Sequence, residues 1–173
     1  LADKFVFSVV KEAVEIAPAI LKDPNDFDLR ARMMWAATNA LNGNTFYGRR
    51  LPDFGVHAIG HTLSLLYDMP HGASLSIVYP AWLKFLKDKL GNRISEMGES
   101  VFGISGVDEV IDKLTSFFKS VGSPVYLQEG GVGLDKKEEI LELWKSKKPG
   151  GNVYKFNNED YDVLINYMYG NLD

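Results

Sequence analysis

Apolar residues recur at three- and four-residue intervals along most of the chain, which is the period of an amphipathic α-helix. The first repeat is interrupted by Pro18, which is expected to bend or end that helix. Its apolar positions are Phe5, Val9, Ala13, Ile16 and Ile20. Six further helices are predicted over residues 28–41, 53–67, 71–90, 107–121, 136–147 and 159–169. The pattern therefore predicts an all-α fold, in the form of a bundle-like helical domain.

Several helix ends are predicted from single residues. Asn25 and Asp28 offer a cap at the start of the second helix, and Asp53 offers one at the start of the third. The fourth helix is expected to bend at Pro80 and to be closed by Gly91.

The second helix carries three consecutive large apolar residues, Met33, Met34 and Trp35. They are candidates for the wall of a ligand site. Most such stripes are simply packed inside the protein, and a core position is the favoured interpretation.

Composition fits one globular domain over residues 1–173, since 46% of the residues are hydrophobic and 12% aromatic. No apolar run approaches the length of a membrane span, and the first residues lack the pattern of a signal peptide. The chain contains no cysteine, which excludes disulfides and thiolate ligands and favours a cytoplasmic origin. A net charge of −4 with scattered basic residues argues against a nucleic-acid partner.

All three histidines fall within one stretch, DFGVHAIGHTLSLLYDMPHG. His57 and His61 are one helical turn apart, so both imidazoles leave the same face and a chelate between them is one interpretation. His71 follows Asp68-Met69-Pro70, a break that can return the chain toward the first two histidines. Neutral imidazole is a common ligand for zinc and iron and also moves protons near neutral pH.

The alternative is that these histidines are ordinary core or surface residues. The His-x-x-x-His pattern lacks the glutamate of zinc proteases, and no carboxylate ligand is evident from local spacing. The nearest carboxylates are Asp53 and Asp68, which are more naturally a helix cap and a turn residue.

The histidine stretch, together with HGASLSIVYPAWLKF after it and KDPNDFDLRARMMWAATNALNG before it, resembles the iron-containing (group III) alcohol dehydrogenases, especially their NADPH-dependent butanol dehydrogenase branch. The resemblance covers most of the chain. It implies the C-terminal helical domain of such an enzyme, as in the dehydroquinate synthase-like fold, with the N-terminal nucleotide-binding domain absent. By this resemblance His57 and His71 are the metal ligands, and His61 is an active-site histidine that does not bind the metal.

The resemblance further implies a metal-dependent oxidoreductase that transfers hydride between NAD(P)H and a small alcohol or aldehyde. Fe(II) or Zn(II) would act as a Lewis acid on the substrate oxygen. NADP or NAD would be bound mainly by the absent N-terminal domain, and a homodimer is one expected state of the parent. The chain alone is expected to be inactive. The alternative function is a non-catalytic helical module for oligomerisation or loose divalent-metal binding.

Three other features are candidate ligand sites. The Gly130-Gly131-Val132-Gly133 cluster mimics a phosphate loop but lacks its strand–helix context, so it is interpreted as a connector. Asn44, Phe46 and Tyr47 could flank a substrate, although an ordinary surface connection is favoured. Arg49 and Arg50 could meet a cofactor phosphate.

Overall fold

The computed structural model describes residues 1–48 and 51–171, so the arginine pair at 49 and 50 lies outside the described residues. Every regular element in this part of the chain is helical, which confirms the predicted all-α class. The α-helices in chain order are α1 (Ala2–Lys22), α2 (Phe27–Leu41), α3 (Gly55–Tyr67), α4 (His71–Phe102), α5 (Val107–Ser120), α6 (Lys137–Lys147) and α7 (Asn158–Met168). A 3₁₀ turn at Leu134–Lys136 precedes α6. No described helix combines the length and apolar character needed to cross a membrane.

The predicted end of the fourth helix at Gly91 is wrong, because this helix passes through Gly91 and ends only at Phe102. Pro18 does not end the first helix, which continues four residues further to Lys22, and the bend expected at Pro18 stays a prediction. A glycine inside a helix costs only about 1 kcal/mol relative to alanine. Ile94, just beyond Gly91, is buried, and burial of a side chain of that size stabilises a helix by more than that cost.

The predicted start of α2 is also corrected. Its N-cap is Asp26, whose side chain accepts a hydrogen bond from the Leu29 backbone N–H at 2.9 Å. Asn25 precedes the cap, and Asp28 lies in the first turn. Asp26 takes the capping role because its backbone is extended where the helix begins, as an N-cap requires.

The described residues divide into two compact units, one from residues 1–48, 51 and 91–113 and the other from residues 52–90 and 114–171. In the first unit α1 packs on α2, and the buried apolar side chains include Phe7, Ile16 and Ala36. Arg93 of α4 stacks over the Phe7 ring at 4.7 Å and pairs with Asp3 at 2.5 Å. The predicted single-domain organisation stays a prediction.

The core interpretation of the α2 stripe is wrong for two of its three residues. Met34 is 69% exposed and Trp35 68%, while Met33 is half-buried. The buried residues of α2 are Ala36 and Asn39. The face of this helix that carries Ala36 and Asn39 is therefore covered, while Met34 and Trp35 point outward.

The second unit holds the main apolar cluster. It is built from α3, the first part of α4, α6 and α7, and Trp144 is fully buried within it. Its other large and fully buried members include Ile59, Leu63, Ile77, Leu86, Leu127, Ile140, Tyr161, Leu164, Ile165 and Met168. This cluster supports the helix that carries His57 and His61.

Candidate metal centre

The three histidines lie together at the junction of α3 and α4. His57 and His61 are one turn apart on α3, and His71 is the first residue of α4. The imidazole centroids of His57 and His71 are 5.3 Å apart, those of His61 and His71 5.2 Å, and those of His57 and His61 6.2 Å. The predicted turn before His71 is present, and its first residue, Asp68, has a left-handed backbone with φ of 50°.

The close approach of the two helices depends on Gly60. A Cβ at this position would lie 2.9 Å from the Ser74 Oγ and 3.2 Å from the Leu75 Cδ2. The Ser74 hydroxyl donates to the His71 carbonyl at 2.8 Å, so the first turn of α4 is fixed at the same point. A glycine one residue before His61 therefore lets α3 and α4 bring their histidines together.

A buried hydrogen bond holds α3 from the opposite side. The Trp144 Nε1–H of α6 donates to the Thr62 Oγ1 at 2.7 Å, and the Thr62 hydroxyl donates to the Ile59 carbonyl at 2.7 Å. Trp144 is fully buried. Because Thr62 follows His61 directly, this contact fixes the helix beside that histidine.

The carboxylate of Asp53 does not have the predicted role of simple N-cap. The N-cap of α3 is Phe54, and Asp53 contacts the Gly55 N–H at 3.2 Å. The Asp53 carboxylate accepts shorter hydrogen bonds from the backbone N–H groups of Val153, at 2.6 Å, and Tyr154, at 2.9 Å. Sequence reasoning missed this contact because no local pattern connects residues separated by 100 positions.

The electrostatics of the cluster favour neutral imidazole at His57. Its half-burial, followed by its proximity to His71 and His61, lowers the pKa of His57 below its ordinary value. A buried cation is poorly solvated, and a neighbouring imidazolium repels a second positive charge. Neutral imidazole is also the form that binds a metal.

Neither nearby carboxylate joins the histidines as an evident ligand. Asp53 is engaged by three backbone N–H groups, and Asp68 is an exposed turn residue. Among residues 1–48 and 51–171, no set of three or more histidine, aspartate or glutamate side chains is arranged to hold a metal ion. The potential donors that the described residues bring together here are therefore imidazole nitrogen atoms.

The other candidate ligand features have ordinary local structure. The Gly130–Gly133 segment forms a turn in which the Gly130 and Val132 N–H groups donate to the Leu127 carbonyl, as a connector would. Asn44 donates its side-chain amide to the Asn39 Oδ1 at 3.2 Å. The substrate role of Asn44, Phe46 and Tyr47 stays a prediction.

A family model described as Fe-containing alcohol dehydrogenase family, C-terminal, matches residues 1–168. The chain is 32% identical over 176 residues to a probable NADH-dependent butanol dehydrogenase 2 of Bacillus subtilis, covering 95% of this chain and 45% of the relative. It is also 32% identical over 139 residues to the NADPH-dependent aldehyde reductase YqhD of Escherichia coli, covering 76% of this chain and 35% of that protein.

A solved structure shares the fold over nearly the whole chain. It is the NADH-dependent butanol dehydrogenase A of Thermotoga maritima, with a TM-score of 0.89 and 27% identity over 97% of this chain and 46% of that one. The chain spans less than half the length of these relatives. Since the family model covers almost all of it, the chain belongs to the Fe-containing alcohol dehydrogenase family and corresponds to its C-terminal region.

Proposed function

We propose that this chain is the metal-binding part of an NAD(P)-dependent alcohol dehydrogenase or aldehyde reductase, with His57 and His71 as metal ligands. The observation that carries the proposal is the 5.3 Å separation of their imidazole centroids across the α3–α4 junction, in a chain of this family. Two imidazoles bound tetrahedrally to one ion, with metal–nitrogen distances of about 2.1 Å, have ring centroids roughly 5 Å apart. The separation of the His57 and His71 rings therefore matches that of two imidazoles on one Fe(II) or Zn(II) ion.

The distances favour a pair that includes His71 over a chelate between His57 and His61, whose centroids are 6.2 Å apart. His61 is as close to His71 as His57 is, so distance alone does not separate these two histidines. His57 is assigned as ligand because the family resemblance implies this role for it, and its lowered pKa supports the neutral imidazole that a metal requires. His61 is assigned to substrate orientation or proton transfer by the same resemblance, and like His71 it is exposed.

A metal bound here supplies Lewis-acid activation of the substrate oxygen. The chain's own contribution is to hold two imidazoles at a fixed separation and to keep His61 beside them. The remaining ligands and the main NADP or NAD site are assigned to the N-terminal part found in full-length relatives. The substrate is a small alcohol or aldehyde, and the proposed location is the cytoplasm. The 173-residue chain alone is expected to be inactive, because hydride transfer requires a bound nicotinamide.

Calorimetry with Zn²⁺ and with Fe(II) under anaerobic conditions tests the ligand assignment. His57→Ala and His71→Ala are each expected to abolish most of the binding enthalpy, whereas His61→Ala leaves affinity within about threefold. Loss of binding in His61→Ala with retention in His71→Ala would favour the one-turn chelate of His57 and His61 instead. NADPH-dependent reduction of butanal by the metal-loaded chain would contradict the prediction that it is inactive alone.

One observation favours the alternative function, a helical module for oligomerisation. The exposed face of α2 presents Phe27, Met34, Trp35 and Leu41, each at least 68% exposed. Exposed apolar patches of this kind mark interaction surfaces. This alternative predicts a homodimer whose mass, measured by light scattering, falls to that of a monomer in Met34→Lys, with zinc affinity unchanged.

A further inference from the structure

The carboxylate of Asp53 connects two segments that are 100 residues apart in sequence. Its Oδ1 accepts the N–H groups of Val153 and Tyr154, at 2.6 and 2.9 Å, while its Oδ2 accepts the Gly55 N–H at 3.2 Å. Hydrogen bonds to a charged acceptor are about twice as strong as neutral ones. Asp53 therefore joins the start of the histidine helix to the loop between α6 and α7.

The loop over residues 149–156 is shaped to receive this carboxylate. A Cβ at Gly151 would overlap the Asp53 side chain, so only glycine permits the approach. The Asn152 N–H donates to the Asp53 carbonyl at 2.6 Å, and its side-chain amide donates to the Pro52 carbonyl at 2.8 Å. The main chain of the loop and the Asn152 side chain thus bind Pro52 and Asp53, which precede Phe54 at the start of α3.

The loop is itself fixed to the apolar cluster. The Tyr161 hydroxyl donates to the Pro149 carbonyl at 2.7 Å. The Phe156 ring packs against Trp82 and Phe85, with centroid separations of 4.8 and 5.0 Å. The loop therefore gives Asp53 a rigid point of attachment on the cluster.

The chain directly after Asp53 has a strained backbone at Phe54 and continues into the first turn of α3, which carries His57. Phe54 is left-handed with φ of 55°, and its ring packs edge-on against the His57 imidazole at 5.4 Å. A non-glycine residue in this region is strained and persists only where its surroundings enforce that conformation. The contacts of Asp53 on either side of Phe54 supply that enforcement.

We propose that Asp53 is a positioning residue that sets the direction in which α3 begins, and thereby the placement of the His57 imidazole relative to His71. Its consequence for metal affinity rests on the proposed function above. A carboxylate is needed because both oxygen atoms accept hydrogen bonds. Asparagine at this position retains one acceptor and leaves either the Gly55 N–H or the two loop N–H groups unpaired.

The test compares Asp53→Asn with Asn152→Ala, a milder change at an exposed residue that weakens the same contact. Asp112→Asn, which removes one charge from an exposed position on α5, is the matched control. The first measurement needs no metal: proton NMR cross-relaxation between the His57 ring and the rings of Phe54 and His71. The second is Co²⁺ affinity, with the visible absorption of bound Co²⁺ reporting ligand geometry.

Asp53→Asn is expected to weaken both cross-peaks of the His57 ring, to lower Co²⁺ affinity about tenfold and to change the Co²⁺ spectrum, as loss of a supporting contact around a metal site typically does. Asn152→Ala is expected to act in the same direction with a smaller effect. The Asp112→Asn control should match the unmodified chain. Circular dichroism verifies that the helical content of each variant is retained, so that the changes report placement rather than unfolding.

Unchanged His57 cross-peaks in folded Asp53→Asn and Asn152→Ala would overturn the proposal, whether or not Co²⁺ binds. If those cross-peaks weaken but the unmodified chain binds no Co²⁺, the positioning role holds and the expectation that His57 and His71 bind a metal without further ligands fails. If the chain binds Co²⁺ and His57→Ala abolishes it while Asp53→Asn leaves affinity and spectrum unchanged, the metal function stands and the positioning role fails.

Discussion

The tryptophan of α2 is exposed and the tryptophan of α6 is buried, although both belong to amphipathic helices. Trp35 is 68% exposed, with Met34 beside it equally open to solvent. Trp144 is fully buried, packs against Tyr161 with ring centroids 5.7 Å apart and donates its indole N–H to Thr62. A large apolar side chain at helical spacing therefore predicts a helix, whereas its burial depends on which elements cover that face.

The helices α3 and α2 also differ in what holds them in place. The histidine helix α3 is held by side chains and loops from distant parts of the chain, such as Trp144 and the segment around Val153. The outer face of α2 has no comparable cover among the described residues, and its start is fixed by the local cap at Asp26.

Trp144→Ala is expected to have the largest effect on stability. It removes a fully buried aromatic side chain and leaves the Thr62 hydroxyl without its indole donor, for a cost of about 3–5 kcal/mol in the free energy of unfolding. Urea unfolding followed by circular dichroism measures it. A loss below about 1 kcal/mol would remove the contrast with Trp35.

Gly60→Ala tests how tightly α3 and α4 must approach. The added methyl group meets Ser74 and Leu75, and overpacking of this kind costs about 1–3 kcal/mol. Gly72→Ala is the matched control, because a Cβ at Gly72 meets nothing within 4 Å. The control is expected to be neutral or to stabilise by up to about 1 kcal/mol, since alanine is the better helix former. Equal effects in thermal unfolding would contradict the tight-contact interpretation.

The stability of the folded chain is expected to fall at alkaline pH because of the buried Tyr169. Burial, with a smaller contribution from Asp135, raises the pKa of Tyr169 to about 12, and its hydroxyl donates to the Gly133 carbonyl. The unfolded tyrosine ionises near its ordinary value of 10, so the unfolded state loses its proton first as pH rises. The stabilising contribution of Tyr169 is therefore present below pH 10 and is lost between pH 10 and 12. Unfolding curves over this range are expected to be less pH-dependent in Tyr169→Phe.

Asp26→Ala measures the local support of α2. Loss of the side-chain acceptor for the Leu29 N–H is expected to cost about 1 kcal/mol. Asn25→Ala, at the residue that precedes the cap, is expected to have little effect on thermal unfolding. A larger loss in Asn25→Ala than in Asp26→Ala would restore the sequence-based assignment of the cap.

Trp35→Ala is expected to have the smallest effect, within about 0.5 kcal/mol, because the side chain is mostly exposed. The same variant should remove most of the tryptophan fluorescence that iodide quenches in the unmodified chain. A cost near that of Trp144→Ala would show that another surface covers α2 in solution.

Local patterns predicted much of this structure. Helical periodicity located the helices, and the Asp68-Met69-Pro70 break placed the turn that precedes His71. The length of α4 was not predicted, because the burial of Ile94 outweighs the low helix propensity of Gly91. Tertiary packing decides such cases, and a local pattern does not contain it.

The histidine cluster was predictable from a local pattern, because its members lie within one short stretch of sequence. The supports of that cluster were not predictable, because the contacts of Thr62 with Trp144 and of Asp53 with Val153 span 82 and 100 residues. Two glycine positions are weak sequence signals of these close contacts. They are Gly60 inside the histidine helix and the Gly150-Gly151 pair, which contacts the Asp53 carboxylate at Gly151.

The long sequence separation between Asp53 and the 149–156 loop has a consequence for biosynthesis. A ribosome completes α3 and the whole of α4 well before it reaches Gly151, so the nascent chain carries all three histidines while the partner of Asp53 is still unmade. Contacts between distant residues form late and slow the folding of a domain. The histidine cluster therefore reaches its final arrangement only when the last quarter of the chain has been synthesised and has folded back.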